Sequence, residues 1–379
     1  MAPNVPSEGR AGVTPLRVGL ISTAPVDAPG SMRAYADVMM QALARHAPDV
    51  DAQLFELAPV AASGGLAQRM ELLSLPLKAW RHRRAALDVW HVLDGSRAYL
   101  ASALKGAPVV ITAHDIIPWL QQRGRFPGAP PVGAAARWLW RRNGMAMRNA
   151  RLLVCDSECT RRDMAGEYGE PRSSRIVPLP VRPSLAAFAE AGGGPREHGV
   201  ILHVGNNGFY KRREQALRIF ARLDRGLART LVMIGPKPTQ SMRAFAQETG
   251  LAGSIVWIED VADSVLVDWY RRATVLVFPS LYEGYGWPVL EAMTFGLPVV
   301  ASDGGSLPEV AGTAAPCVPA DDIDGFVCEI EALLRDPELA RRRAEQGRTW
   351  AGQFSLERFA REMADTYRSV CEGIQGVKQ

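Results

Sequence analysis

The chain has 379 residues, 47% hydrophobic and 22% charged, with a formal net charge of +4. That composition suits a soluble globular protein long enough for two domains of ordinary size. The charge is too small to argue for a nucleic-acid partner, and no stretch nears the ~20 apolar residues that a membrane-spanning helix needs.

Residues 1–190 carry 23 Lys+Arg against 16 Asp+Glu, and the remainder 21 against 24. A basic half of this kind suits an anionic substrate or an anionic membrane face, and equally an arginine-rich coding bias with no partner. Five cysteines (Cys155, Cys159, Cys317, Cys328 and Cys371) form no paired framework, as expected in a reducing cytosol. Cys155 and Cys159 lack a second pair to complete a zinc set and read as ordinary thiols.

In chain order, Met1–Thr14 has neither the basic start nor the apolar core of a secretory signal and is expected to be a disordered tail. Short apolar runs then alternate with longer amphipathic segments, the pattern of a parallel α/β protein. The strands expected in the first half are Leu16–Ser22, Ala52–Glu56, Val89–Leu93, Val109–Ala113 and Leu152–Asp156. Those in the second half are Val200–Val204, Thr230–Ile234, Ser254–Ile258, Val275–Phe278 and Pro298–Ser302. Between the halves, Ala191–Gly199 contains three successive glycines and no periodicity, a linker signature. Two doubly wound domains, 15–190 and 199–354, would face each other across a cleft there. Ligands of such sheets bind beyond the carboxyl ends of the strands. Three helices are expected at the end, Asp321–Leu334, Pro337–Trp350 and Leu356–Cys371, the last with one apolar face.

Several strand-to-helix turns could hold chemistry. His114 ends a strand within Thr112–Pro118 and would face the cleft, able to donate to sugar hydroxyls or phosphate; the alternative is a histidine held by Asp115. Arg137, Arg141 and Arg148 share a helix face beside Trp138 and Trp140, which reads as a surface helix or as an interfacial one. Gly205, Asn206, Asn207, Gly208 and Lys211 form a glycine turn with a lysine, suited to an oxygen-rich anion but without Walker spacing. Ser302–Glu309 is a further turn, whose glycines permit close backbone approach to a ligand and whose Asp303 or Ser306 could simply cap Leu307–Ala311. The most informative stretch is Pro279–Met293, in which Glu283 and Glu291 flank a glycine-bracketed turn and Pro288. Pro288–Phe295 is expected to be a short helix closed by Gly296. Its free N–H groups would attract phosphate between the two carboxylates.

These residues resemble the GT-B glycosyltransferases of family four, retaining enzymes that use nucleotide-sugar donors. The resemblance runs from about Leu16 to Tyr367 and rests most on Glu283 and Glu291 within Phe278–Met293, followed by Gly296–Ser302 and Leu307-Pro308-Glu309-Val310. It implies two Rossmann-like domains, an acceptor domain first and a donor domain second, with a final helix (355–372) returning to the first. Glu283 would contact the donor sugar and Glu291 the ribose. Tyr285, Gly286 and Trp287 would approach sugar and diphosphate, Lys211 the diphosphate, and His114 the sugar. Gly30, in Ala28-Pro29-Gly30-Ser31, would stand in the first glycine loop near the diphosphate. Many members carry an arginine where Asn206 stands, so Arg212 or Arg213, or the amides of Asn207 and Gly208, would compensate.

The implied reaction moves a hexose-type sugar to a bacterial glycan or lipid-linked acceptor. No cofactor or metal is expected, the basic groups doing what magnesium does elsewhere. The expected location is cytoplasmic, and the basic first half permits contact with the inner membrane face. Two other readings are a GT-B sugar-nucleotide epimerase, which needs no acceptor, and a non-catalytic subunit of a glycan-assembly complex. The first domain's loops around Leu57–Arg84 and Trp119–Val132 contain no recognisable acceptor signal.

Overall fold

A computed structural model describes residues 14–25, 30–57, 65–104, 106–188, 196–259 and 261–375. Met1–Val13, and Ala28, Pro29 and Ala191–Pro195 of the expected glycine loop and linker, lie outside that range. The first sheet contains β1 (Leu16–Ser22), β2 (Val50–Glu56), β3 (Val89–Val92), β4 (Val109–Ala113), β5 (Leu152–Cys155) and β6 (Ser174–Ile176). The second contains β7 (Val200–Val204), β8 (Thr230–Ile234), β9 (Ile255–Ile258), β10 (Val275–Phe278), β11 (Val299–Ser302) and β12 (Cys317–Val318). All pairings are parallel, in the orders β2-β1-β3-β4-β5-β6 and β12-β11-β10-β7-β8-β9. The ten apolar runs are the strands β1 to β5 and β7 to β11. The sequence reading missed β6 and β12, edge strands of three and two residues, too short for an apolar run.

Parallel strands joined by helices must be covered on both faces, which explains why β3, β5, β10 and β11 are buried throughout. In the second sheet the order reverses between β7 and β10, paired through Ile201–Val275 and Leu202–Leu276. Loops leaving adjacent strands in opposite directions open a crevice there, where ligands bind in doubly wound sheets.

The helix Leu356–Gln375 lies against the first sheet's layer, beside the helix Ser31–His46. Phe359, Met363, Tyr367 and Val370 are all buried. The Tyr367 hydroxyl is 2.8 Å from Nδ1 of His91, whose Nε2 is 2.8 Å from Thr112 Oγ1. The stretch Leu57–Arg84, read as a loop region, is in large part the helix Gly65–His82.

Candidate functional site

A cleft of about 620 Å³ opens between the two sheets, at the carboxyl ends of their strands, a volume usual for a small-molecule site. It gathers most of the residues singled out above: Gly30 and His114 from the first half, and Gly205, Asn206, Lys211, Glu283, Tyr285, Gly286, Trp287 and Glu291 from the second.

Glu283 lies in the loop after β10 and is only 5% exposed. Its Oε2 accepts from Lys211 Nζ at 2.7 Å, while Oε1 accepts no hydrogen bond from any described residue. Burial works against the lysine's charge, but the carboxylate outweighs it and raises the Lys211 pKa above its ordinary value. The helix expected at Pro288–Phe295 spans Trp287–Thr294, and Gly296 follows it with φ +63°. Gly286 precedes it at φ +108°, a conformation that L side chains rarely adopt. Pro288 has no N–H and the Val289 amide donates to the Gly286 carbonyl, so Trp287 supplies the free amide of the helix start, at the cleft wall. Glu291, one turn inside the helix and 2% exposed, has both oxygens engaged. Tyr270 Oη donates to Oε2 at 2.8 Å, and Arg182 Nε donates to Oε1 at 2.6 Å. Arg182 also donates to Asp263 at 3.2 Å.

His114 is held by Asp156 rather than by Asp115. Its Nδ1 lies 2.6 Å from Asp156 Oδ2 and its Nε2 2.9 Å from the Leu93 carbonyl. Asp115 instead accepts from the Ile117 amide, two residues on, at the start of a helix. With an acceptor at each nitrogen the ring is a held imidazolium. Burial opposes the charge, but Asp156 prevails and the pKa is raised to about 9. Neither nitrogen is left over for a ligand hydroxyl.

Other expected positions fall outside the cleft. Arg212 takes the left-handed conformation, φ +48°, and its guanidinium bonds Asp321 and the Ala320 carbonyl. Arg213 bonds the Pro236 carbonyl and Asn207, whose amide donates to the Lys237 carbonyl. Asn206 does line the cleft, but its oxygen accepts from the Gly208 amide and closes the turn. None of these side chains replaces an arginine beside Lys211. The glycines of Ser302–Glu309 approach the backbone of Ser280–Glu283 rather than the cleft. Ser306 does not cap its helix; its hydroxyl donates to the Glu283 and Tyr285 carbonyls. Asp303 accepts from the Ala320 amide.

The sequence reading gave no role to three residues: Arg182, Asp156 and Glu309. Glu309 reaches from the second half to the first, where its carboxylate accepts from the amides of Glu158 and Cys159 at 2.8 Å and caps the helix Glu158–Tyr168. The same seam is joined by Ser157 donating to the Gly284 carbonyl and by Tyr282 donating to Asp163. Trp287 donates across it to the Pro180 carbonyl. A methyl group at Gly284 would stand 2.1 Å from the His114 carbonyl, so only glycine allows the two halves to meet there. Among the described residues, no group of three or more His, Cys, Asp or Glu could hold a metal ion.

The family model for glycosyltransferase family 4 matches residues 43–185, and that for glycosyl transferases group 1 matches residues 188–350. An MMP alpha-(1→4)-mannosyltransferase of Mycolicibacterium hassiacum is 31% identical over 312 residues, 76% of this chain and 72% of that protein. A D-inositol 3-phosphate glycosyltransferase of Segniliparus rotundus is 26% identical over 78% of this chain and 68% of its own. The match to O-antigen chain mannosyltransferase B of Escherichia coli is 37% identical but covers only 31% of this chain and 30% of that protein. Among solved structures, sucrose-phosphate synthase of Thermosynechococcus elongatus superposes with a TM-score of 0.74 at 20% identity, covering 94% of this chain and 100% of that one. Anabaena HepE in complex with UDP and glucose gives 0.68 at 15% identity, covering 93% and 100%. With two parallel six-stranded sheets facing a cleft, and with both family models matched in order, the chain belongs to the family-four glycosyltransferases and has their GT-B fold.

Proposed function

We propose that this glycosyltransferase moves a hexose-type sugar from a nucleoside diphosphate donor to a bacterial glycan or lipid-linked acceptor, with retention of configuration and without a metal or other cofactor. The observation that carries the reading is the Glu283 carboxylate. It is buried at the cleft wall, one oxygen is fixed by Lys211, and the other is left to accept from a hydroxyl group. A buried acceptor without a partner is costly unless a ligand completes it.

The chemistry follows from charge. Breaking the anomeric C–O bond places negative charge on the departing diphosphate and positive charge on the sugar ring. Lys211 and the Trp287 amide at the helix start would receive the first, as preorganised electrostatics require. Glu283 orients the sugar and favours the second. Glu291 takes the ribose hydroxyls. His114 contributes a fixed positive charge at the sugar end and no free N–H. Closure of the halves over the donor would exclude water and prevent hydrolysis. The names of the mannosyltransferase and inositol phosphate glycosyltransferase relatives support the reaction class.

Turnover assayed with a panel of nucleotide sugars, with and without acceptor extracts, tests the reading. Binding of a donor and transfer only in the presence of acceptor is expected. Product without acceptor would favour an epimerase, and nucleotide binding with no product a non-catalytic subunit.

Features of the first half support an enzyme that rests on an anionic lipid surface. Leu73, Leu77 and Trp80 stand at helical spacing and are 80%, 53% and 44% exposed, and Trp138 on a neighbouring helix is 61% exposed. Arg83 stacks 4.1 Å from Trp80, and Arg142 5.4 Å from Trp138. Both helices pack on the 3₁₀ segment Gly95–Ala103 and share one layer. From Ile116 to Cys155 the sequence has seven arginines and no acidic residue. Exposed tryptophans with arginine neighbours suit a headgroup region of negative charge. Cosedimentation with anionic vesicles, lost on substituting both Trp80 and Trp138 with alanine, is the expected result.

A further inference from the structure

The cations that line the cleft already have partners. Lys211 is bonded to Glu283, His114 to Asp156, Arg33 to Asp37 and Glu56, and Arg182 to Glu291 and Asp263. A diphosphate entering the cleft therefore competes with a carboxylate, or shares with it, for each of these cations. In the reading above Lys211 stays on Glu283 and offers its other N–H donors to the diphosphate. Arg182 has no role in it.

Arg182 stands between β6 and the second sheet, in Pro180-Val181-Arg182-Pro183. Prolines on both sides stiffen the backbone. Tyr285 and Trp287 pin the segment through hydrogen bonds to the Leu179 and Pro180 carbonyls at 2.6 and 2.8 Å. The guanidinium is therefore carried on a fixed base, and only its side-chain torsions are free. It sits on Glu291, four residues from Trp287, hence roughly 6 Å along the axis from the helix start. Two carboxylates, Glu291 and Asp263, hold it, so its charge is secure even though it is largely buried. The three residues line the same cleft.

We infer that Arg182 is a second diphosphate-binding cation, stored on Glu291 and Asp263 and handed over when the donor enters. As the guanidinium turns to the phosphates, the ribose hydroxyls donate to Glu291 in its place. No hydrogen bond at Glu291 is lost in the exchange. A guanidinium suits the task, because its planar fork pairs with carboxylate and phosphate oxygens alike. It also supplies the second cation that Asn206, Arg212 and Arg213 do not bring to the cleft. The inference rests on the nucleoside diphosphate donor reading.

The test compares R182Q with the full-length wild type, using UDP and GDP as probes and uridine and guanosine as their phosphate-free counterparts. Diphosphate binding is measured by calorimetry and nucleoside binding by NMR titration, with the fold of each variant checked by circular dichroism. R182Q is expected to lose about tenfold or more in affinity for the diphosphate that the wild type binds, as for loss of one charge-assisted pair. Nucleoside affinity should stay equal or rise, since Glu291 is released. R182K should recover part of the diphosphate affinity. Equal losses for diphosphate and nucleoside would make Arg182 a structural bridge, and gains for both would make it a blocker; either overturns the inference, as does no change. A wild type that binds neither UDP nor GDP, nor ADP or dTDP tried in their place, overturns the donor reading itself.

Discussion

The two ends of the cleft place a glutamate in a similar position and treat it differently. Glu283 has one cation, Lys211, and keeps an oxygen with no partner. Glu291 has both oxygens engaged, by Arg182 and Tyr270. The first carboxylate is already poised, whereas the second must exchange a partner before it can hold a hydroxyl. An end that needs no rearrangement suits groups positioned for bond breaking, since preorganisation lowers the cost of reaching the transition state. An end that trades one hydrogen bond for another suits reversible binding.

The sharpest way to break this contrast is to neutralise Glu283. Glu283→Gln keeps the shape and removes the charge, so turnover should fall by about 100-fold or more while donor binding changes little. A fall confined to donor KM would place Glu283 with Glu291 and erase the distinction.

The second effect concerns His114, at the proposed sugar end. Its pKa is raised from 6.5 to about 9, burial opposing and Asp156 favouring the charge. A raised pKa means that the folded protein binds the proton more tightly. The resulting stability is therefore fully present below pH 6.5 and is lost as pH rises through 9, on the order of 3 kcal/mol in all. Unfolding free energy measured from pH 6 to 9.5 should show that decline, and Asp156→Asn should flatten it. A wild-type curve flat across that window would leave the imidazolium without support.

Glu291→Ala should weaken nucleoside diphosphate binding by about tenfold to 100-fold, corresponding to the loss of hydrogen bonds to a charged group. Turnover at saturating donor should suffer less than in Glu283→Gln. The reverse ranking would exchange the roles of the two ends.

The smallest effect is expected at Glu309→Gln. Two amides keep an acceptor, but a charged cap at a helix start is lost, which costs about 1 kcal/mol. Thermal unfolding measures that loss directly. Because the contact crosses the seam, kcat and KM should shift together; a change in stability alone would make Glu309 irrelevant to how the halves close.

The sequence made the fold legible wherever burial on both faces writes an apolar run, as in Val275–Phe278 and Val299–Ser302. It was silent at β6, whose three residues are all only partly buried. The site was legible where its parts are neighbours in the chain: Glu283, the turn at Gly286 and the helix start fall within a few residues. Pairings between distant segments left no such trace. Arg182 is 109 residues from Glu291, and His114 is 42 from Asp156. Asp115 was the nearer carboxylate in sequence, but the Ile117 amide claims it, while Asp156 directly follows β5, the strand paired with the β4 that His114 follows. Local spacing describes loops well and says little about which side chains meet across a cleft.

The helix Leu356–Gln375 has a consequence for how the chain is made. Its Tyr367 reaches the buried His91 and fills the first sheet's layer with Phe359 and Met363. A ribosome delivers β1 to β6 long before that helix, so the half synthesised first is finished last. Until then an apolar groove and two polar side chains, His91 and Thr112, await their final neighbour, an interval in which a nascent chain is exposed to aggregation and to chaperones.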